Sequence, residues 1–121
     1  MITMLGIGVD NAVAFSISGK VSDDDMELVL TAAKEKIALH DSIVIYEQID
    51  SFKGIELEAI VDEFNYLRKV GMYNIQKVAV LTDKKWLARI VAIEDKIFKS
   101  IDMKCFALED KELAIAFLKG Q

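Results

Sequence analysis

The chain has 121 residues, 53% hydrophobic and 29% charged, with a net charge of −5. That is enough chain for a real core and too much apolar content for disorder. An acidic balance argues against nucleic acid, whose phosphates need a dense cationic surface. Proline is absent, so no Pro-rich linker divides the chain, and residues 1–121 are read as a single domain.

"MLGIGV" at 4–9 is a short apolar run and "AVAFSISG" at 12–19 alternates, with Val13, Phe15 and Ile17 on one face. Asp10 and Asn11 between them suit a tight hairpin turn, since both residue types tolerate left-handed geometry. An antiparallel pair is therefore expected first. The start lacks a cationic segment and meets Asp10 early, so it does not read as a signal peptide. Gly6 and Gly8 make a GxG, but a strand-like run follows instead of a helix, which disfavours a dinucleotide loop.

"SDDDMELVLTAAKEKIALH" at 22–40 predicts a helix. Ser22 is a natural N-cap, and Asp23, Asp24 and Asp25 stand where the helix dipole favours negative charge. Met26, Val29, Leu30, Ala33 and Ile37 share its core face. The acidic triplet reads as a cap, because no further cation ligands are spaced around it. His40 closes this helix as the only histidine in the chain, which disfavours a His-based metal site or a general base.

"SIVIYEQI" at 42–49 is a continuous apolar strand, expected at the centre of a sheet. "IELEAIVDEFNYLRKVG" at 55–71 predicts a second helix with Leu57, Ile60, Val61, Phe64 and Leu67 inward, and Ala59, Tyr66 and Val70 form a lesser back face. "IQKVAVLTD" at 75–83 is a strand. "KKWLARIVAIEDKIF" at 84–98 is a helix, "MKCFAL" at 103–108 the last strand, and "DKELAIAFLKG" at 110–120 the last helix. The order ββαβαβαβα implies right-handed crossovers and a mixed, mostly parallel five-stranded sheet. The single cysteine, Cys105, reads as buried packing and suits a reducing cytoplasm. No apolar run approaches the roughly 20 residues that span a bilayer.

Two groups of residues stand out as candidate sites. Glu47, Asp50, Ser51 and Asp83 all fall near strand C-termini, where parallel sheets tend to bind ligands. They read either as turn and cap residues, the favoured reading, or as the lining of one polar pocket. The second group is the helix over 84–98. Trp86, Ile90, Ile93 and Ile97 make one stripe, and Leu87, Val91 and Phe98 a neighbouring one, together covering roughly 160°. Lys84, Lys85, Arg89, Lys96, Lys99 and Lys104 outweigh Glu94, Asp95 and Asp102, so residues 84–104 carry +3 and the rest −8. Such a face reads as core or dimer contact, or as an interfacial surface for a lipid-like ligand or membrane. Glu94, between the stripes, counts against deep burial in lipid. Phe52, Leu57, Trp86, Leu87, Ile90 and Val91 are the candidate apolar binding residues. No catalytic residue, metal site or cofactor is implied.

"FKGIELEAI", "IQKVAVLTDKKWLARI" and the closing "ELAIAFL" give the chain a family resemblance. In order and spacing they are similar to the SpoIIAA-like proteins, which are related to STAS domains and to CRAL-TRIO lipid-binding proteins. The resemblance covers nearly the whole chain. It implies a β-α superhelix with helices mainly on one face, in a small bacterial cytoplasmic protein, often a homodimer. It further implies apolar-ligand binding or peripheral membrane association, and no enzymatic activity. STAS anti-sigma-factor antagonists carry a phosphorylatable serine in a motif like Asp-Ser-Ser-Gly-Leu-Gly. Asp50 and Ser51 match its first two positions, Phe52 replaces the modified serine, and Lys53 interrupts before Gly54. The leading expectation is thus a non-enzymatic module for an apolar ligand or membrane surface. The alternative is a STAS-type module for a regulatory protein, without the switch serine.

Overall fold

A computed structural model describes residues 1–19, 22–50, 75–83 and 102–120. The elements in chain order are β1 (Ile2–Met4), β2 (Ala12–Ile17), α1 (Asp23–His40), β3 (Ile43–Ile49), β4 (Ile75–Thr82) and β5 (Asp102–Ala107). A 3-10 turn (Leu108–Asp110) then leads into α2 (Lys111–Leu118). The strands form one five-stranded sheet in the order β1-β2-β3-β4-β5. β1 runs antiparallel to β2, and β2, β3, β4 and β5 are mutually parallel. This is the mixed, mostly parallel α/β sheet expected from the alternation. The helices expected over 55–71 and 84–98 lie outside the described residues.

The opening pair is antiparallel, but its first strand is displaced from the expected 4–9 to Ile2–Met4. The Leu5 N–H still bonds the Ala14 carbonyl at 2.8 Å before the chain leaves the ladder. Two glycines weaken extension beyond that point, and Gly8 adopts a φ of +76° that breaks it. A turn forms at Asp10-Asn11, with the Ala12 N–H donating to the Val9 carbonyl at 3.2 Å, but residues 5–11 join the paired strands in place of the expected tight hairpin. The left-handed residue of this connection is Gly8, which precedes the turn, and neither Asp10 nor Asn11 has a positive φ. Asn11 instead ties the loop to β3: its Nδ2 donates to the Ser42 carbonyl at 3.3 Å, and its own carbonyl accepts from the Val44 N–H at 3.0 Å.

α1 begins as its sequence predicts. Ser22 Oγ accepts from the Asp25 N–H at 3.1 Å, and Asp25 Oδ2 accepts from the Ser22 N–H at 2.9 Å, completing a capping box. Asp25 Oδ1 also accepts from the Ile2 N–H at 3.2 Å, so the same carboxylate ties the helix start to β1. Asp41 ends α1 with a φ of 65°, a conformation that aspartate tolerates better than most side chains.

The sheet separates two cores. Val13, Phe15, Ile17, Ile43, Ile45, Ile49, Val78, Val80 and Met103 face one way and pack with Val29 and Ala33 of α1. Leu30 and Ile37 join them half-buried, and Met26, expected on the same face, lies outside the described side chains. Ala12, Ala14, Val44, Tyr46, Ala79, Leu81 and Phe106 face the other way, against Ala114 and Leu118 of α2. The two described helices thus cover opposite faces, and the expectation of helices mainly on one face turns on residues outside the description. Cys105, expected to be buried, is half-buried beside the α1 core, because β5 is the last strand of the sheet and is less enclosed.

Asp25 carries a pH dependence. Its backbone hydrogen bonds, first from Ser22 and then from Ile2, hold its pKa below the ordinary 3.8. A depressed carboxylate stabilises the fold above its unfolded pKa, and that contribution is lost as pH falls through the folded value. Asp25→Asn is expected to lower stability at neutral pH, because an amide oxygen accepts from the Ser22 and Ile2 N–H groups more weakly than a carboxylate. It should also flatten the fall in stability below pH 3.8, as read from urea unfolding across pH. An unchanged acid limb would contradict this reading.

Candidate functional site

The C-terminal ends of the four parallel strands meet along one edge of the sheet, where α/β folds place their ligand crevices. Period-two alternation decides which side chains go where. On β3, Glu47 shares the face of Ile45 and Ile49, with Phe15 and Val80 as its cross-strand neighbours. It is 0% exposed. Thr82 ends β4 on the same face and is also fully buried, with no hydrogen-bond partner for Oγ1 among the described residues. Glu47 and Thr82 thus set two buried polar groups near the end of an otherwise apolar layer.

The opposite face carries a short polar chain. Tyr46 Oη donates to Gln48 Oε1 at 3.0 Å, and Gln48 Nε2 donates to Asp50 Oδ1 at 2.7 Å. The Tyr46 ring is buried in the α2 core while Asp50 is exposed, so the chain runs from core to surface. Burial, and secondarily the Asp50 charge, push the Tyr46 phenol above its ordinary pKa of 10.0. Asp83, just past β4, is exposed too. The paired register ends at Gln48 opposite Leu81, and Asp50 and Asp83 each lie two residues beyond it.

Of the four polar candidates, Asp50 and Asp83 are both exposed, each just past the end of one of two adjacent strands. Glu47 lies on the other face of β3 from Gln48 and Asp50. Ser51 lies outside the described residues, as do Phe52, Leu57, Trp86, Leu87, Ile90 and Val91. Tyr46 and Gln48 were missed by the sequence reading, although their spacing of two from Asp50 already placed all three on one face. His40 is exposed in the last turn of α1.

Two concavities lie at the other end of the sheet. A cleft of about 250 Å³ is walled by Leu5, Ile7, Val9 and Ala32, with Lys36 at its edge. The Lys36 ammonium donates to the Asp10 carbonyl at 2.8 Å. A shallower groove of about 490 Å³ runs past Asn11, Gln76, Lys77 and Lys119. Lys77 is held there by the Phe117 carbonyl at 3.0 Å and stacks over that ring at 5.0 Å. No cluster among the described residues has the donor set of a metal site.

A family model described as SpoIIAA-like matches residues 12–119. Neither the curated proteins nor the solved structures gave a match.

The Tyr46–Gln48–Asp50 chain predicts a titration. Asp50→Asn removes the smaller of the two causes acting on Tyr46. Its midpoint should fall yet stay above 10.0, since burial remains. Ring carbon chemical shifts followed by NMR report this, and a midpoint indifferent to the substitution would separate Asp50 from the phenol.

Proposed function

The chain belongs to the SpoIIAA-like family, and on that premise we propose that it is a STAS-type regulatory module that acts by binding another protein rather than by catalysis. The observation that carries this reading is the span of the match, which takes in everything from β2 to the end of α2. The binding surface is the strand-end edge where Asp50 and Asp83 are exposed. Asp50 directly precedes Ser51 and Phe52, the positions that correspond to the STAS switch motif. Gln48 fixes the Asp50 carboxylate, while Glu47 supports the strand from within. Two exposed carboxylates at the ends of adjacent strands favour a partner with a cationic patch. With Phe52 in place of the modified serine, binding on this reading is constitutive and not gated by phosphate.

Affinity capture from native cells tests it. The wild-type chain should recover a reproducible partner, Asp50→Lys with Asp83→Lys should lose it, and Ser51→Ala should retain it. Circular dichroism must show the fold intact in each variant. Recovery of the same partner by the doubly substituted chain would sink the proposed surface.

The double apolar stripe of residues 86–98 favours a second reading, in which a lipid-like ligand or membrane surface is bound through Phe52, Leu57, Trp86, Leu87, Ile90 and Val91. On this reading the association is peripheral; no helix among the described residues is long and apolar enough to cross a membrane. Flotation with anionic phospholipid vesicles should then carry the protein upward and shift the fluorescence of Trp86, the single tryptophan, to the blue. Protein left at the bottom of the gradient with unshifted emission counts against it.

A further inference from the structure

α2 and the last two strands gather lysines around one aromatic ring. Lys77 and Lys104 both stand on the α2 face of the sheet, Lys77 opposite Asp102 and Lys104 opposite Ala79. The Lys77 ammonium lies 5.0 Å from the centre of the Phe117 ring. The Lys104 ammonium lies 5.9 Å from the same ring and 5.7 Å from that of Phe106. Lys119, two residues past Phe117 and exposed, adds a third cation at the end of α2.

Each contact of an ammonium with a ring is favourable, but two ammoniums drawn to one ring repel each other. Among the described residues, no carboxylate stands within ion-pair distance of Lys77, Lys104 or Lys119. Asp102, although opposite Lys77 in the ladder, does not pair with it. The Phe117 ring between these cations is half-buried, so it offers apolar surface there.

We infer that this patch binds an acidic peptide segment of another protein, with carboxylate side chains on Lys77 and Lys104 and an apolar side chain against Phe117. Charge and shape select that partner. An ammonium is a compact point charge without the fork of a guanidinium, so it takes carboxylates at varied angles. The C-terminal end of α2 and Asp102 add negative character beside the cations, which opposes a doubly charged phosphate more than a single carboxylate. A groove of about 490 Å³ continues from Lys77 past Lys119, Gln76 and Asn11, giving an extended chain room and side-chain amides for its backbone. Asp10 on that groove and the net charge of −5 repel an acidic segment elsewhere and so confine it to the patch. Lys77 stands near the start of β4 and Asp83 just past its end, so this surface is separate from the strand-end edge.

NMR titration with a capped hexapeptide of alternating glutamate and leucine reads the binding. Ring shifts of Phe106 and Phe117 should saturate, and the affinity should fall with added salt. Lys104→Glu and Lys119→Glu, both at exposed positions, should each weaken binding by about fivefold, and Asp102→Asn should strengthen it. Lys34→Glu, exposed on α1 across the sheet, should leave it nearly unchanged. Circular dichroism should show the same fold in every variant. Rings that do not shift overturn the inference. So does a loss on Lys34→Glu equal to that on Lys104→Glu, which reduces the effect to net charge. A glutamine-for-glutamate peptide that binds as well, or inorganic phosphate that binds more tightly at the same rings, also overturns it. Ring shifts that follow protein concentration before any peptide is added assign the patch to a second copy of this chain instead.

Discussion

β3 is hydrogen-bonded along both edges and covered on both faces, and this double constraint organises the molecule. Six of its seven residues are buried, with Gln48 half-buried. Its backbone polar groups are spent on the ladders to β2 and β4, which leaves the side chains to divide strictly between two cores. A slip of one residue would send Ile45 and Ile49 to the α2 face and Tyr46 to the α1 face. The asparagine clamp at the head of the strand resists that slip. Asn11 bonds the chain on either side of Ile43 and so pins the register where β3 begins.

The same constraint explains what was legible from residues alone. The apolar run over 43–46, resumed at Ile49, reads as a central strand because only a doubly covered strand tolerates one. The α1 start was legible because Ser22 and the acids after it leave few alternatives for unsatisfied N–H groups. β1 was misplaced because 4–9 is apolar enough for a strand. Its glycines decide otherwise, and their torsion angles are set by the loop's path rather than by local preference. The candidate site was legible only in part. Spacing along β3 placed Asp50 at the strand tip, but that β4, and with it Asp83, lies next to β3 is a long-range fact. Thr82 gives no sign in sequence that its hydroxyl is sealed in.

The polar groups of β3 divide as sharply as the apolar ones. Glu47 is enclosed on the face that packs α1, whereas Tyr46, Gln48 and Asp50 pass a hydrogen-bonded line from the α2 core to solvent. A binding event at Asp50 therefore touches a residue rigidly connected to the packing beneath it. That suits a recognition surface held in fixed shape, with specificity set by charge and contour rather than by rearrangement of the strand.

α2 is the described cover for the face formed by Ala12, Ala14, Val44, Tyr46, Ala79 and Leu81, and it follows all five strands in the chain. During synthesis the ribosome therefore extrudes a sheet whose second apolar surface has no α2 to meet it. Until residues 111–118 emerge, that surface lacks the contacts of Ala114 and Leu118 and is more open to chaperones that bind apolar segments. A chain stalled or cut shortly after β5 would keep its strand order and lose that cover. It would present to the cell's quality control a sheet that lacks the packing of Ala114 and Leu118.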